Sequence, residues 1–212
     1  MTMESFDPAR ISYVAAMDDV RARHPKAMSR ATGKVLDRLD VHCRAILEKS
    51  TFCVISTQGS GGQDVSPRGD PAGFVRILDD RHVLLPDRIG NNRFDSMANL
   101  FENPAVGMLF FVPGMSEMLR INGTGRITDD AALLAASTVQ GRPPRIGILV
   151  AVREAYLHCA KAINRAGLWD QSRHIDRDSL PSYGQMLADQ VPDLTPEESA
   201  RQGAEMAKRG MY

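Results

Sequence analysis

The short spacing between strand-like segments is the feature that most restricts the fold of this chain. From Thr51 to Pro86, stretches rich in β-branched and aromatic residues follow one another across brief turns such as "QGSGGQD" and "LDDR". A parallel pair of strands needs a crossover of about a dozen residues or more, and these turns are shorter. The pattern therefore favours antiparallel pairing and disfavours a parallel α/β fold.

The whole chain is predicted to be mainly β with helices, as a six-stranded antiparallel β-barrel with helices at both ends. One short amphipathic helix is expected in the middle, where Phe94, Met97, Ala98 and Phe101 recur at helical spacing. Glycines in the segment 117–128 lie where a barrel must bend sharply. The chain has seven strand-like segments, from which a barrel of six or so strands is expected: residues 51–57, 65–68, 73–78, 82–86, 105–113, 117–128 and 145–159.

These elements are expected to form one structural domain, since 212 residues suffice for a single well-buried core. Residues 1–50 are predicted to be a helical segment that packs on the barrel through one apolar stripe. Residues 51–158 are predicted to form the barrel core, and residues 159–212 the C-terminal helices and tail. The stripe consists of Val35, Leu36, Leu39, Cys43, Ile46 and Leu47.

The charge balance argues against nucleic acid or an anionic membrane as a partner. Lys and Arg number 26, as do Asp and Glu, so the net charge is zero and any anion site must be local. The longest apolar stretches, such as "VGMLFFV", are too short to span a membrane. The first residues, "MTMESFDPAR", lack the apolar middle of a signal peptide, so we expect a cytoplasmic protein.

Metal binding is not expected from the cysteines and histidines. Cys43, Cys53 and Cys159 are odd in number and widely spaced, which is typical of reduced thiols rather than of a disulfide framework or a paired metal site. The five histidines do not form the short spacings that place two ligands on one helix face.

The segment "DRIGNNRF" is a candidate anion site. It follows a strand and precedes the mid-chain helix, whose first backbone N–H groups have no internal partners. An Asn is a favoured helix cap, and Arg93 in the first turn is electrostatically misplaced unless an anion compensates it. Arg93, Arg88 and the capping Asn together predict a phosphate pocket, since a guanidinium group can bind two phosphate oxygens at once. The alternative is an ordinary capped helix whose arginines face water.

Arg68, in "DVSPRGD", is a second candidate for this pocket. It lies two strands earlier in the sequence, a separation that a meander can close in space. The alternative is a surface pair between Arg68 and Asp70, which would contribute little to stability. The "GSGGQD" turn lacks the ending of a phosphate-binding loop and is predicted to be a hairpin turn.

The combination of "GNNR" after a strand, "NP" closing the next helix and then "LRINGTGRIT" resembles the pyridoxamine 5′-phosphate oxidase-like family of FMN-binding split barrels. The resemblance extends from Leu39 to Trp169, and "EAYLHCAKA" with a later "LW" is similar to a subgroup with no assigned physiological substrate. It implies a homodimer with FMN between the subunits. The implied activity is an FMN-dependent oxidoreductase acting on an unidentified small molecule.

The resemblance also implies a set of cofactor-binding residues. Asn92, Arg93 and Arg68 match positions that hold the FMN phosphate, and the strand residues Val65 and Pro86 match positions along the isoalloxazine edge. Trp169 falls near an aromatic residue contributed by the partner subunit, although a packing role is an alternative. The full set is Val65, Ser66, Pro67, Arg68, Pro86, Asp87, Arg88, Asn91, Asn92, Arg93, Lys161 and Trp169.

The chain departs from the vitamin-converting members at one motif. Those members carry a C-terminal Arg-x-His that binds the substrate phosphate, whereas here Arg173 directly precedes His174. Oxidation of pyridoxamine phosphate is therefore not expected, and no side chain is assigned as a catalytic acid or base. Alternatives are a deazaflavin- or haem-binding split barrel, a flavin-binding module without turnover, or a barrel with an empty cleft that serves in association.

Overall fold

The computed structural model describes residues 6–210 and confirms a mainly β domain with helices. Its centre is one antiparallel sheet of seven strands, one more than the six expected, in the order β2-β1-β5-β6-β7-β4-β3. The shortest strand, β3, has two residues and pairs with β4 at one end of the sheet. The strands are β1 Phe52–Gly59, β2 Gly62–Gly69, β3 Arg76–Ile77, β4 His82–Pro86, β5 Ala105–Phe111, β6 Met118–Thr128 and β7 Gly147–His158.

Helices precede and follow the sheet along the chain, and two of them, Asp95–Glu102 and Ala131–Ala135, lie between strands. The mid-chain helix begins at Asp95, one residue later than its apolar pattern predicts. The helices are α1 Met17–Ala22, α2 Ser29–Thr32, α3 Val41–Lys49, α4 Asp95–Glu102, α5 Ala131–Ala135, α6 Lys161–Ala166, α7 Tyr183–Gln190 and α8 Pro196–Arg209, with 3-10 turns at Pro8–Arg10, Gln171–Arg173 and Arg177–Ser179.

The sheet bends where β6 meets β7. The pairing register shifts between Asn122 and Gly123, and Arg153 is the extra residue on the opposite strand. A side chain at Gly123 would run into the carbonyl oxygen of Ala151. Glycine is therefore required at this bend, as the sequence predicts for a sharply curved strand.

The core lies on one face of the sheet and is covered in part by α3. Asp40 caps that helix by accepting a hydrogen bond from the backbone N–H of Cys43, 2.8 Å away. Cys43, Ile46 and Leu47 are buried, as the apolar stripe predicts, whereas Val35 at its start is 40% exposed. The buried part of the stripe therefore starts at Leu39 and continues along α3.

The chain divides into two compact units, one ending at Val35 and the other beginning at Leu36. Among residues 6–35, none is buried, and the two helices of this unit have only six and four residues. Helices this short are marginal without tertiary contacts. The expected packing of residues 1–50 on the barrel stays a prediction, and residues 1–5 and 211–212 lie outside the described residues.

Helix α4 is fixed to the β1–β2 hairpin by polar contacts. The side-chain amide of Asn99 donates to Thr57 Oγ1 at 3.2 Å and to the carbonyl of Gly62 at 3.3 Å. At the end of the helix, a carboxylate oxygen of Glu102 accepts the N–H of Ser60 at 2.6 Å. The C-terminal half of α4 is thereby held against the β1–β2 hairpin.

A buried ion pair joins two segments that are far apart in the sheet. Asp70 follows β2 and Arg88 follows β4, and Arg88 Nε donates to Asp70 Oδ2 at 2.6 Å. The side chains are only 1% and 17% exposed, respectively. Arg88 Nη2 also donates to the carbonyl of Ser137 at 2.8 Å, so this arginine fastens three segments together.

Removing Asp70 should therefore destabilise the fold. In Asp70→Asn, the buried guanidinium of Arg88 loses its counter-charge, and we expect the free energy of unfolding to fall by about 3 kcal/mol. Urea denaturation measures the change. The matched control is Asp37→Asn, which breaks the exposed pair with Arg81 and should have a much smaller effect. Equal effects of the two substitutions would contradict this role for Asp70.

Candidate functional site

A cavity of about 490 Å³ lies between the end of β2, the end of β4 and the start of α4. Its volume is within the range of about 300–1,000 Å³ that is typical of small-molecule sites. Strands β2 and β4 are not neighbours in the sheet, so the sheet must curve for both to line one cavity. The lining residues are Asp64, Ser66, Pro67, Arg68, Gly69, Phe74, Pro86, Asp87, Arg88, Ile89, Gly90, Asn91, Asn92, Arg93, Phe94, Asp95, Ser96 and Met97.

Most of the residues predicted for the cofactor site line this cavity. Val65 does not: it is 61% exposed, and it alternates along β2 with Asp64 and Ser66, which do. Lys161 and Trp169 also lie elsewhere. The nine predicted residues that the structure brings together here are Ser66, Pro67, Arg68, Pro86, Asp87, Arg88, Asn91, Asn92 and Arg93.

Arg68 is held in the cavity wall by two serine hydroxyl groups. Its Nη1 donates to Ser66 Oγ at 2.9 Å and to the carbonyl of Pro67 at 2.8 Å. Its Nη2 donates to Ser96 Oγ at 3.1 Å. The alternative of a surface pair with Asp70 is not what the structure contains, because Asp70 pairs with Arg88.

Asp64 completes this cluster from the same face of β2. Its Oδ2 accepts a hydrogen bond from Ser66 Oγ at 3.0 Å and a short one from Ser96 Oγ. The two serine oxygens are themselves 3.0 Å apart. The cluster of Asp64, Ser66, Arg68 and Ser96 therefore joins β2 directly to the first turn of α4.

The loop before α4 differs from the expected asparagine cap. The N-cap is Phe94, in the left-handed conformation with φ 60°, and Asn92 also has a positive φ of 58°. Asn91 accepts the N–H of Arg93 through its side chain at 3.1 Å, which stabilises the loop instead. Asparagine tolerates the left-handed region better than most residues, which explains its use at position 92.

Arg93 lies at the rim of the cavity. Its side chain is 72% exposed, and its Nε donates to Asp95 Oδ2 at 2.7 Å. The ion pair with Asp95 raises the pKa of this guanidinium. Arg93 is thus more exposed to solvent than Arg68 and fits the alternative of an arginine that faces water.

The start of α4 can bind an anion. Among the described residues, no side chain caps its first turn. The backbone N–H groups of such a turn have no intrahelical acceptors and carry the positive end of the helix dipole. Ser96, in this turn, is 3% exposed. The first turn and the Arg68 guanidinium therefore present donors to the same cavity.

Asp87 contributes a carboxyl group to the opposite wall. It is half-buried at the end of β4, and its backbone N–H donates to the carbonyl of Ile146 at 3.0 Å. Burial raises its pKa by removing water from the charged form, and the nearby Arg68 charge opposes part of that shift. Arg88, the next residue, directs its guanidinium to Asp70 instead.

Trp169 lines a separate cavity of about 280 Å³ with residues of α6 and the following loop. Its indole Nε1 donates to the carbonyl of Met115 at 2.8 Å. Lys161 is exposed at the start of α6. In this single chain, neither residue approaches the larger cavity.

Residues 6–210 contain neither a membrane-spanning helix nor a cluster of metal ligands. No helix there has the length and apolar character needed to cross a bilayer. No group of three or more His, Cys, Asp or Glu side chains in the same residues is arranged to hold a metal ion.

Sequence reasoning missed Asp64 and Ser96. Asp64 could have been found from strand alternation, since it shares a face with Ser66 and Arg68. Ser96 could have been found from its place in the first turn of the helix after "GNNR". Phe74 and Met97, which supply buried apolar surface, gave no signal beyond hydrophobicity.

Comparison with known proteins gives one family match. Residues 39–159 match the family model described as pyridoxamine 5′-phosphate oxidase. No curated protein gave a significant match.

Among solved structures, HupZ of Group A Streptococcus is 16% identical, covers 55% of this chain and 91% of its own, and has a TM-score of 0.45. A Clostridium acetobutylicum protein related to general stress protein 26 is 14% identical, with coverages of 56% and 86% and a TM-score of 0.43. An F420 reductase is 17% identical, with coverages of 54% and 94% and a TM-score of 0.39.

The raised pKa of Asp87 predicts a pH-dependent stability. The native state holds this proton more tightly than the unfolded chain, so the free energy of unfolding should fall as the pH rises from 3.8, the ordinary aspartate value, through the higher native pKa. Asp87→Asn should remove this loss, so the variant gains stability relative to the unchanged protein across that window. Urea denaturation at a series of pH values measures the difference, and parallel curves would contradict it.

Proposed function

We propose that this chain, which belongs to the pyridoxamine 5′-phosphate oxidase family, is an FMN-dependent oxidoreductase with a split-barrel fold. Family membership rests on the match over residues 39–159, which is more than half of the chain. The observation that carries the proposal is Arg68, which is fixed beside two serine hydroxyl groups and the uncapped start of α4. The substrate is a small molecule, and a cytoplasmic location stays a prediction of the sequence.

The residues of the cavity fit the phosphate of FMN. A phosphate monoester needs several N–H and O–H donors and at least one cation. The guanidinium of Arg68, the hydroxyls of Ser66 and Ser96 and the first-turn amides of α4 supply them. Arg93 and Arg88 are both ion-paired, with Asp95 and Asp70 respectively. Arg93 is 72% exposed at the rim and can turn toward a ligand, whereas Arg88 is 17% exposed and also holds the carbonyl of Ser137.

The remaining walls fit the flavin ring. Phe74 and Met97 are buried and line the cavity, as do Pro67 and Pro86 at the ends of β2 and β4. Apolar walls with a few polar groups are typical of sites for aromatic ligands. When bound, FMN supplies two-electron chemistry through its ring. The chain's own residues bind the phosphate, orient the ring and exclude water from its inner face.

The substrate is not expected to be pyridoxamine 5′-phosphate. Arg173 is close to Gly167, where an added side chain would collide with it, and its Nε lies 3.4 Å from Asp170 Oδ2. This arginine is thus engaged locally, and His174 follows it directly instead of after one residue. The pattern that binds the phosphate of that substrate is absent from this sequence.

The working form is proposed to be a homodimer with FMN at the subunit interface. Support comes from large apolar side chains that stay exposed on the second unit of this chain. Phe101 is 80% exposed and Phe94 50% exposed, and Phe52, which is 40% exposed, lies with its ring centroid 5.9 Å from that of the partly buried Phe111. In such a dimer, Trp169 is proposed to lie on the partner's side of the cleft, as the resemblance implies.

An absorption spectrum of the purified protein, with added FMN if necessary, tests the cofactor. We expect flavin bands that remain after gel filtration. Arg68→Ala should weaken FMN binding by about 1–3 kcal/mol, the scale of a lost charged hydrogen bond. The control Arg38→Ala, at an exposed arginine next to Asp37, should not change the affinity.

The same spectrum separates the alternatives. A Soret band would indicate haem, and a protein that stays colourless with excess FMN would contradict the proposal. If the protein binds flavin but no electron donor reduces it, the protein is a flavin-binding module without turnover.

The dimer is tested by analytical ultracentrifugation. The expected mass is twice that of the single chain at micromolar concentration, with one FMN bound per chain. A monomer that binds FMN with full affinity would show that the cavity of one chain is sufficient, and the interface proposal would then be wrong.

A further inference from the structure

The hydroxyl protons of the cavity are already committed. Ser66 Oγ and Ser96 Oγ each carry one proton, and both donate to Asp64 Oδ2. Their oxygen lone pairs accept from Arg68 Nη1 and Nη2. The acceptors of these two protons in the cluster are therefore groups of the protein itself, Asp64 Oδ2 and the neighbouring serine oxygen.

A phosphate needs those same protons. A phosphate oxygen is an acceptor, so each serine must rotate its O–H away from Asp64 in order to donate to the ligand. Asp64 would then lose hydrogen bonds while a second anion approaches. Asp64 also lines the cavity, so it faces the bound anion directly. Both effects oppose phosphate binding, and neither is compensated by a cation beyond Arg68 within the cluster.

We propose that Asp64 is an internal competitor for the phosphate, holding the two serine hydroxyl groups and thereby setting how tightly the cavity binds a phosphate monoester. This inference rests on the proposed function and adds a residue that determines affinity. The carboxylate takes the place of the ligand in the unloaded site and keeps Arg68 and both serines in position. The cavity thus stays ordered without its ligand, at the expense of affinity for it.

If Asp64 competes with phosphate, replacing it should change the affinity for FMN but not for riboflavin. Asp64→Asn removes the charge, keeps the shape and leaves one carbonyl oxygen for a single serine proton. FMN should then bind about tenfold more tightly, the scale of one charge-assisted hydrogen bond. Riboflavin, which lacks the phosphate, should bind with unchanged affinity. Isothermal titration with the two flavins measures both.

A double-substitution cycle separates competition from a general charge effect. In a Ser66→Ala background, one of the two serine protons is gone, so Asp64→Asn should give a smaller gain in FMN affinity than it gives alone. A gain of the same size in both backgrounds would assign the effect to charge and overturn the competitor role. Thermal unfolding of each variant without ligand checks that it folds.

The outcomes distinguish this inference from the proposed function. If the unchanged protein binds FMN and Asp64→Asn binds it equally or less well, Asp64 is a positioning residue for the serines and the inference fails alone. If no variant binds FMN, the proposed function fails, and inorganic phosphate decides the role of Asp64. The melting temperature is then measured with phosphate and with chloride at equal ionic strength. An extra rise with phosphate that is greater in Asp64→Asn than in the unchanged protein supports the competitor role of Asp64. Extra rises of equal size in the two proteins overturn it.

Discussion

The buried ion pair between Asp70 and Arg88 is the contact on which the site depends. Strands β2 and β4 are separated by four other strands in the sheet, yet both contribute walls to one cavity. The ion pair joins the segments that follow these two strands, and the bond from Arg88 to the carbonyl of Ser137 adds a third segment. Because the two charges are largely removed from water, each requires the other. The ion pair therefore helps to hold the two walls of the cavity together.

Sequence reasoning predicts the antiparallel sheet, which the structure confirms, and it selects nine residues that line one cavity. Strand spacing excluded crossovers, and the bend at Gly123 followed from glycine in a strand. The sequence also predicts that Arg68 and the "GNNR" loop lie close together, because a meander can bring the two segments together, and both line the cavity. The structure explains the convergence through side-chain alternation on β2 and through α4, which Asn99 and Glu102 fix to the β1–β2 hairpin.

Other features depend on contacts that a single sequence does not encode locally. Arg88 was predicted to bind phosphate, but its partner is a carboxylate that lies 18 residues earlier in the chain. Phe94 is the N-cap residue of α4 and has a left-handed conformation, whereas a polar residue is the usual N-cap. Phe101 satisfies the apolar helical pattern and is nevertheless exposed in the single chain. The sequence pattern does not tell whether such a residue is buried within its own chain or in an assembly. The two-residue strand β3 is too short for a periodicity argument.

The central claim is that a flavin phosphate binds between the guanidinium of Arg68 and the first turn of α4. A crystal structure of the protein grown with excess FMN tests it most directly. We expect phosphate oxygens within hydrogen-bonding distance of Arg68, Ser66 and Ser96, with the ring against Pro67 and Pro86. FMN bound elsewhere, or a cavity filled only by water while Arg68 keeps its bonds to the serines, would contradict it.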